Sequence, residues 1–135
     1  MALQLSVAVR NARLDAIETA IGTAPTMRIR TGAAPASCAA ADTGTVLATL
    51  ALPSDWLAAA SGGSKALSGS WADASADAAG TAAHFRVYDT AGTTCHLQGT
   101  VSITAGGGDM TVDNTVFAAG QAFTVTSFAL TDGNA

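Results

Sequence analysis

The feature that most restricts this chain is a change of period between Gly22 and Met27. Before it, LSVAVRNARLDAIETAIG (residues 5–22) repeats on a helical spacing. Val7, Leu14 and Ile21 recur every seven residues, with Arg10 and Ile17 between them, so one face steps by three and four. Arg10 interrupts that seam at its first turn. Ser6 is placed to cap the helix through its side-chain oxygen. Gly22 suits the position just past the last turn, and Pro25 prevents continuation. Arg10, Arg13, Asp15 and Glu18 keep much of the remaining surface wet. After Met27 the chain reads as short alternating runs divided by glycine turns. The pattern predicts an N-terminal amphipathic helix or arm over residues 1–25 and a β-sandwich domain over residues 26–135. Periodicity leaves two homes for the apolar face: its own β domain, or a neighbouring subunit.

The strands follow from period-two alternation. In TMRIRT (26–31), Met27 and Ile29 face one way and Arg28 and Arg30 the other. GAAPASCAAADTG (32–44) has no period and reads as an ordered surface loop, long enough to be functional or an interface element. TVLATLAL (45–52) turns Val46, Ala48, Leu50 and Leu52 inward. Ser54 is placed to cap a short helical turn. Trp56 either covers one end of the core or anchors a partner. KALSGSWA (65–72) is a further strand with Leu67, Gly69 and Trp71 on one face. AHFRVYD (83–89) and TCHLQGTVSI (94–103) form the clearest hairpin, around Gly92. A loop at residues 91 and 92 pairs His84 with Gly99 and His96 with Val87, both histidines on the surface. Cys95, Leu97, Gly99, Val101 and Ile103 then share one face. DMTVD (109–113) and Val116–Phe117 precede a closing strand, QAFTVTSFALT (121–131). There Phe123, Val125, Ser127 and Ala129 alternate with Thr124, Thr126, Phe128 and Leu130. About seven or eight such strands predict an antiparallel sandwich or jelly-roll-like barrel.

Composition limits what such a body does. Charged residues are 12%, about half the ~25% usual for soluble domains. A surface of Ser, Thr, Ala and Gly has weak charge protection against association, which suits faces covered in an assembly. The net charge is -4, and no basic patch is present, which argues against nucleic acid as a partner. No apolar run approaches the ~20 residues of a membrane span. The N-terminus lacks a basic region ahead of an apolar core, so no secretory signal is read and the cytoplasm is the expected place of synthesis. Cys38 and Cys95 allow two free thiols or one disulfide, and without a secretory signal free thiols are expected.

Catalytic chemistry finds little to work with. A nucleophile needs a base held beside it, and no such motif is present around His84 or His96. The lone glutamate, Glu18, lies on the helix. AGGGD (105–109) lacks the lysine and following helix of a phosphate loop. Asp73 and Asp77 lack the dense oxygen-ligand spacing of calcium loops. Neither cysteine belongs to a C-x-x-C pair. The expectation is no enzyme, no metal and no cofactor.

Four stretches nevertheless have a familiar wording: LSVAVRNARLDAIETAIGTAP; IRTGAAPASCAAADTGTVLATLALPSDW; SGSWADASADAAGTAAHFRVYDTAGTTCHLQGTVS; and GGGDMTVDNTVFAAGQAFTVTSFALTDGNA. Together they span nearly the whole chain. It resembles small virion structural proteins of tailed bacteriophages and prophages, in particular capsid decoration (cement) proteins. The resemblance implies a homotrimer bound to the major capsid protein on the capsid exterior, assembled in the host cytoplasm. It brings no named site residue. Interface candidates come from the residues themselves: Val7, Leu14, Ile17 and Ile21 on the helix, and Trp56, Phe117 and Phe128 in the β body. Two alternatives stand beside this reading. One is a tail tube, terminator or tip subunit, with the 83–103 hairpin completing an inner barrel. The other is a fibre-like receptor-binding module.

Overall fold

The computed structural model describes residues 2–133. The chain is mainly β, with one helix at its N-terminus. The helix α1 (Val7–Ile21) begins and ends where its caps require. Ser6 is extended, and its hydroxyl accepts from the Val9 N–H at 3.3 Å. Gly22, at φ 95, donates its N–H to Glu18 O at 2.9 Å.

Ten strands follow: β1 (Thr26–Arg30), β2 (Val46–Ala51), β3 (Ser64–Ala66), β4 (Ala72–Asp73), β5 (Gly80–Thr81), β6 (His84–Tyr88), β7 (Cys95–Ile103), β8 (Met110–Val112), β9 (Val116–Phe117) and β10 (Phe123–Thr131). Eight of them make one mixed sheet, in the order β2-β1-β6-β7-β8-β10-β3, with β4 also on β10. β5 and β9 make a two-stranded sheet. Among the described residues the sheet does not close into a barrel, and one pair, β7 with β8, is parallel rather than antiparallel. The segment expected as one strand over 65–72 is two short strands, because Gly69 takes φ 71 between them. Ser54 and Asp55 form a bend and not a helical turn.

That parallel pair is joined by only Thr104–Asp109, whereas parallel neighbours ordinarily need a crossover of a dozen residues or more. The three glycines make the short return possible. A Cβ on Gly106 would stand 2.8 Å from Ile103 O, and one on Gly108 would stand 2.8 Å from the Ser102 nitrogen. The chain thus doubles back against β7, where the Asp109 carboxylate accepts from the Thr100 N–H and hydroxyl, both at 2.8 Å. Those two bonds hold its pKa below the usual carboxylate range.

Three one-residue bulges decide which side chains face the core. In β2, Ala48 pairs with Ile29 and Val46 with Arg30, so Leu47 is the extra residue and is buried as well. In β10, Val125 pairs with Val112 but Phe128 pairs with Met110. The slip brings Phe128 to the side of Val125, so the strict alternation expected through Ser127 and Ala129 fails there. In β7, Tyr88 pairs with Cys95 and Val87 with Leu97, which leaves His96 unpaired. The expected register holds next to the turn and is one residue off beyond it: His84 faces Thr100, not Gly99. Cys95 therefore lies on the opposite side of β7 from Leu97.

The few aromatic rings are spent on the core. Trp71 lies 5.9 Å from Trp56 and 5.2 Å from Phe128 between ring centroids, and Phe85 meets Phe128 edge-on at 5.7 Å. Phe117 stacks on Phe123 at 4.5 Å. Trp56, Phe117 and Phe128 are all buried within this chain, which corrects their reading as interface anchors. Trp56 closes the core beneath the helix, donating Nε1–H to Gly22 O at 3.1 Å.

The helix docks on its own chain, through a face more polar than the seam suggested. Leu14 and Ile21 are buried, whereas Val7 and Ile17 are exposed. Between them Asn11, Asp15 and Glu18 accept the backbone N–H groups of Gly63, Ala60 and Leu57 at 2.9, 3.2 and 3.3 Å. Buried Lys65 reaches up from β3 to Asp15 Oδ1 and Glu18 Oε2, both at 2.8 Å. Burial alone would lower the Lys65 pKa, but the two carboxylates outweigh it and raise it. Asp15 and Glu18 are thus not simply a wet face. They satisfy backbone donors of the 57–63 segment, which lies outside the named strands.

Candidate functional site

The chemically richest region lies under the 32–44 loop. That loop has no alternation, and Pro35 and its small residues give it no strand to join. Its order comes from below. β1 and β6 place Arg30, His84, Arg86 and Tyr88 on the side away from Phe85 and Val87, and these side chains take hold of the loop. Arg86, 1% exposed, pairs with Asp42 Oδ1. Its Nη2 also donates to Cys38 O at 2.8 Å and to Ala40 O at 3.2 Å. Arg30 Nη2 reaches Asp42 Oδ2 at 2.7 Å. The Tyr88 hydroxyl donates to Asp42 Oδ1 at 2.7 Å. Gln98 Nε2 donates to Pro35 O at 2.6 Å, and His84 Nδ1 lies 2.7 Å from Gly32 O. The expected surface placement of His84 is thus corrected: it is buried beneath the loop, because its outward position on β6 is roofed.

Two guanidinium groups and one phenol converge on a single carboxylate. Burial works to raise the Asp42 pKa, but the Tyr88 hydroxyl and the charges of Arg30 and Arg86 outweigh it and hold the carboxyl below its usual range. Burial and the bond to Asp42 push Tyr88 up. Both Asp42 oxygens are engaged, so this carboxylate is a structural anion here and not a free base.

The bulge at His96 adds a second feature. It turns Cys95 to the loop side, where its Sγ lies 2.8 Å from Cys38 Sγ. Arg86 Nε–H donates to Cys95 Sγ at 3.2 Å. Both thiols are free and half-buried, and they open on a cavity of about 270 Å³ lined also by Asp42, Arg86, Tyr88 and Thr93. Burial, then the bond to Cys95, pushes the Cys38 thiol up to about 11. No protein-family model, curated protein or solved structure matches the chain.

Spacing alone does not reveal this cluster, since loop and sheet meet through non-periodic contacts. One signal was present: Arg28, Arg30 and Arg86 lie on strands between strongly apolar neighbours, which demands a polar cover. Asp73 and Asp77 do not form a cation site with each other. Asp73 Oδ1 accepts from the Ser75 N–H, and Asp77 Oδ2 accepts from the Thr49 hydroxyl. Among the described residues no group of three or more His, Cys, Asp or Glu gathers to hold a metal. Nor is any helix there long and apolar enough to cross a membrane.

A separate surface lies at the start of α1. Val7 stands seven residues before Leu14, on the same side of the helix, yet it is 47% exposed, and Leu3 ahead of it is 84% exposed. Val9 and Ile17 are exposed too. At Val7 the helix seam is only partly covered by the described residues.

Proposed function

We propose that this chain is a virion structural protein of a tailed phage, a capsid decoration (cement) protein that binds the head exterior as a homotrimer on the major capsid protein. The observation that carries this reading is the overhanging apolar start of α1. Val7 extends a docked helix face into solvent, and Leu3, in the segment ahead of the helix, adds a second exposed apolar side chain, a geometry that suits a second chain. The internal use of charge supports it. Lys65, Arg30 and Arg86 hold the helix and loop in place, leaving a sparsely charged surface fit for close apposition. Each apolar contact would contribute little, on the order of 25 cal/mol per Å² buried. A trimer engaging several capsomers at once multiplies such contacts through effective concentration.

The test is the mass of the purified protein by light scattering, followed by co-sedimentation with capsids lacking it. A stable trimer that saturates those capsids and raises their heat resistance supports the reading. A monomer, or a stacking ring, that ignores capsids overturns it and moves the assignment to the tail.

A further inference from the structure

We infer that Cys38 and Cys95 are a reversible redox clamp, which closes to a disulfide and fastens the 32–44 loop to the β6–β7 hairpin. The geometry for it is assembled. The His96 bulge aims Cys95 at the loop, and the two sulfurs lie 2.8 Å apart. Arg86 holds both partners, with Nε on Cys95 Sγ and Nη2 on Cys38 O at 2.8 Å. The thiols are half-buried and border the cavity described above, so a small reagent reaches them.

The oxidant is a low-molecular-weight disulfide of the glutathione class, acting by thiol–disulfide exchange. Arg86 holds its Nε–H 3.2 Å from Cys95 Sγ, where it stabilises negative charge developing on that sulfur, while burial keeps the proton on Cys38, so Cys95 attacks first. Its sulfur bonds to one sulfur of the reagent, and the other leaves as a thiol. Cys38 then loses its proton to solvent and attacks Cys95 Sγ, expelling the second reagent thiol. Two protein thiols are oxidised, and one external disulfide is reduced to two thiols. The clamp closes a long stretch of chain, from the loop to β7, which is the arrangement that most restricts the unfolded state.

The experiment equilibrates the full chain in mixtures of reduced and oxidised glutathione, then reads free thiols, intact mass and melting temperature. The expected result is joint loss of both thiols in one two-electron transition, with monomer mass lower by about 2 Da. The oxidised form should melt on the order of 5–15 °C higher. The Cys38→Ala variant should lose that shift and accumulate a glutathione adduct on Cys95. Thiols that stay free under oxidised glutathione, a stable adduct on the wild-type chain, or bonds between chains would each overturn the clamp. So would an equal melting shift in Cys38→Ala.

Discussion

Strands β1, β6 and β7 cover both of their faces, and the two faces follow different rules. One side carries Met27, Ile29, Phe85 and Val87 against Trp71 and Phe128. The other carries Arg30, His84, Arg86 and Tyr88 under a loop without secondary structure. Apolar burial is non-directional and scales with area, so the first side needs only volume and shape. The second side needs a partner for each buried donor and acceptor, because a lone one costs far more than a made bond contributes. The 32–44 loop answers most of that need with its carbonyls and Asp42, while Arg30 Nε, His84 Nε2 and Gln98 Oε1 stay buried without a partner among the described residues. An irregular segment suits this work because its carbonyls are not committed to a ladder. The apolar face supplies stability, while the polar face specifies where the loop lies.

Cutting into each face should separate these roles. Phe85→Ala removes a fully buried ring and should cost about 4 kcal/mol, read as a lower midpoint in chemical denaturation with protection lost across the sheet. Arg86→Met keeps volume but removes one of the two cations on Asp42 and strands the carbonyls of Cys38 and Ala40, at about 3 kcal/mol. Its signature should be local, with faster hydrogen exchange and proteolysis within 32–44 before global unfolding. Equal exchange rates in wild type and Arg86→Met would erase the distinction between the faces.

Acid titration sharpens the comparison further, since only one face carries a charge network. Asp42 has a lower pKa folded than unfolded. Between those two values the unfolded chain binds more protons, so stability rises with pH there. The contribution of Asp42 is complete above its unfolded value, about 3.9, and is lost as pH falls through the folded one. Asp42→Asn should cost about 2 kcal/mol at neutral pH. The gap in melting temperature between it and wild type should narrow below about pH 4. A gap that stays constant down to pH 2 would mean that the carboxylate's charge does not hold the loop.

The legible and illegible parts of the fold divide along the same line. Caps at Ser6 and Gly22, and alternation in Met27–Ile29 and Phe85–Val87, are local and were readable. The bulges are harder to read, because one extra residue leaves an alternating strand looking regular over half its length. β10 did carry a signal: its large apolar residues pass from odd positions, Phe123 and Val125, to even ones, Phe128 and Leu130. That change of parity marks a bulge as well as a two-sided strand. The polar cluster was hidden for a different reason. Asp42 and Arg86 meet through loop placement, and no spacing rule connects them. Sequence alone leaves Trp56, Phe117 and Phe128 available to a partner, because large rings dominate interfaces. In a chain with so few rings, the core takes them first.

The smallest expected effect on stability belongs to a residue outside both faces. Val7 and Leu14 share one side of α1, yet only Leu14 is covered by the β body. Val7→Ser should therefore change folding stability by less than about 0.5 kcal/mol, as exposed substitutions do. If the overhang is an assembly surface, the same substitution should still lower the light-scattering mass and the occupancy on capsids. Folding and association would then respond in opposite ways to two positions on one helical seam. Unchanged mass and occupancy in Val7→Ser would leave the helix as a purely internal brace. The search for an intersubunit contact would then pass to the other exposed apolar residues, Ile103 on β7 and Val116 on β9.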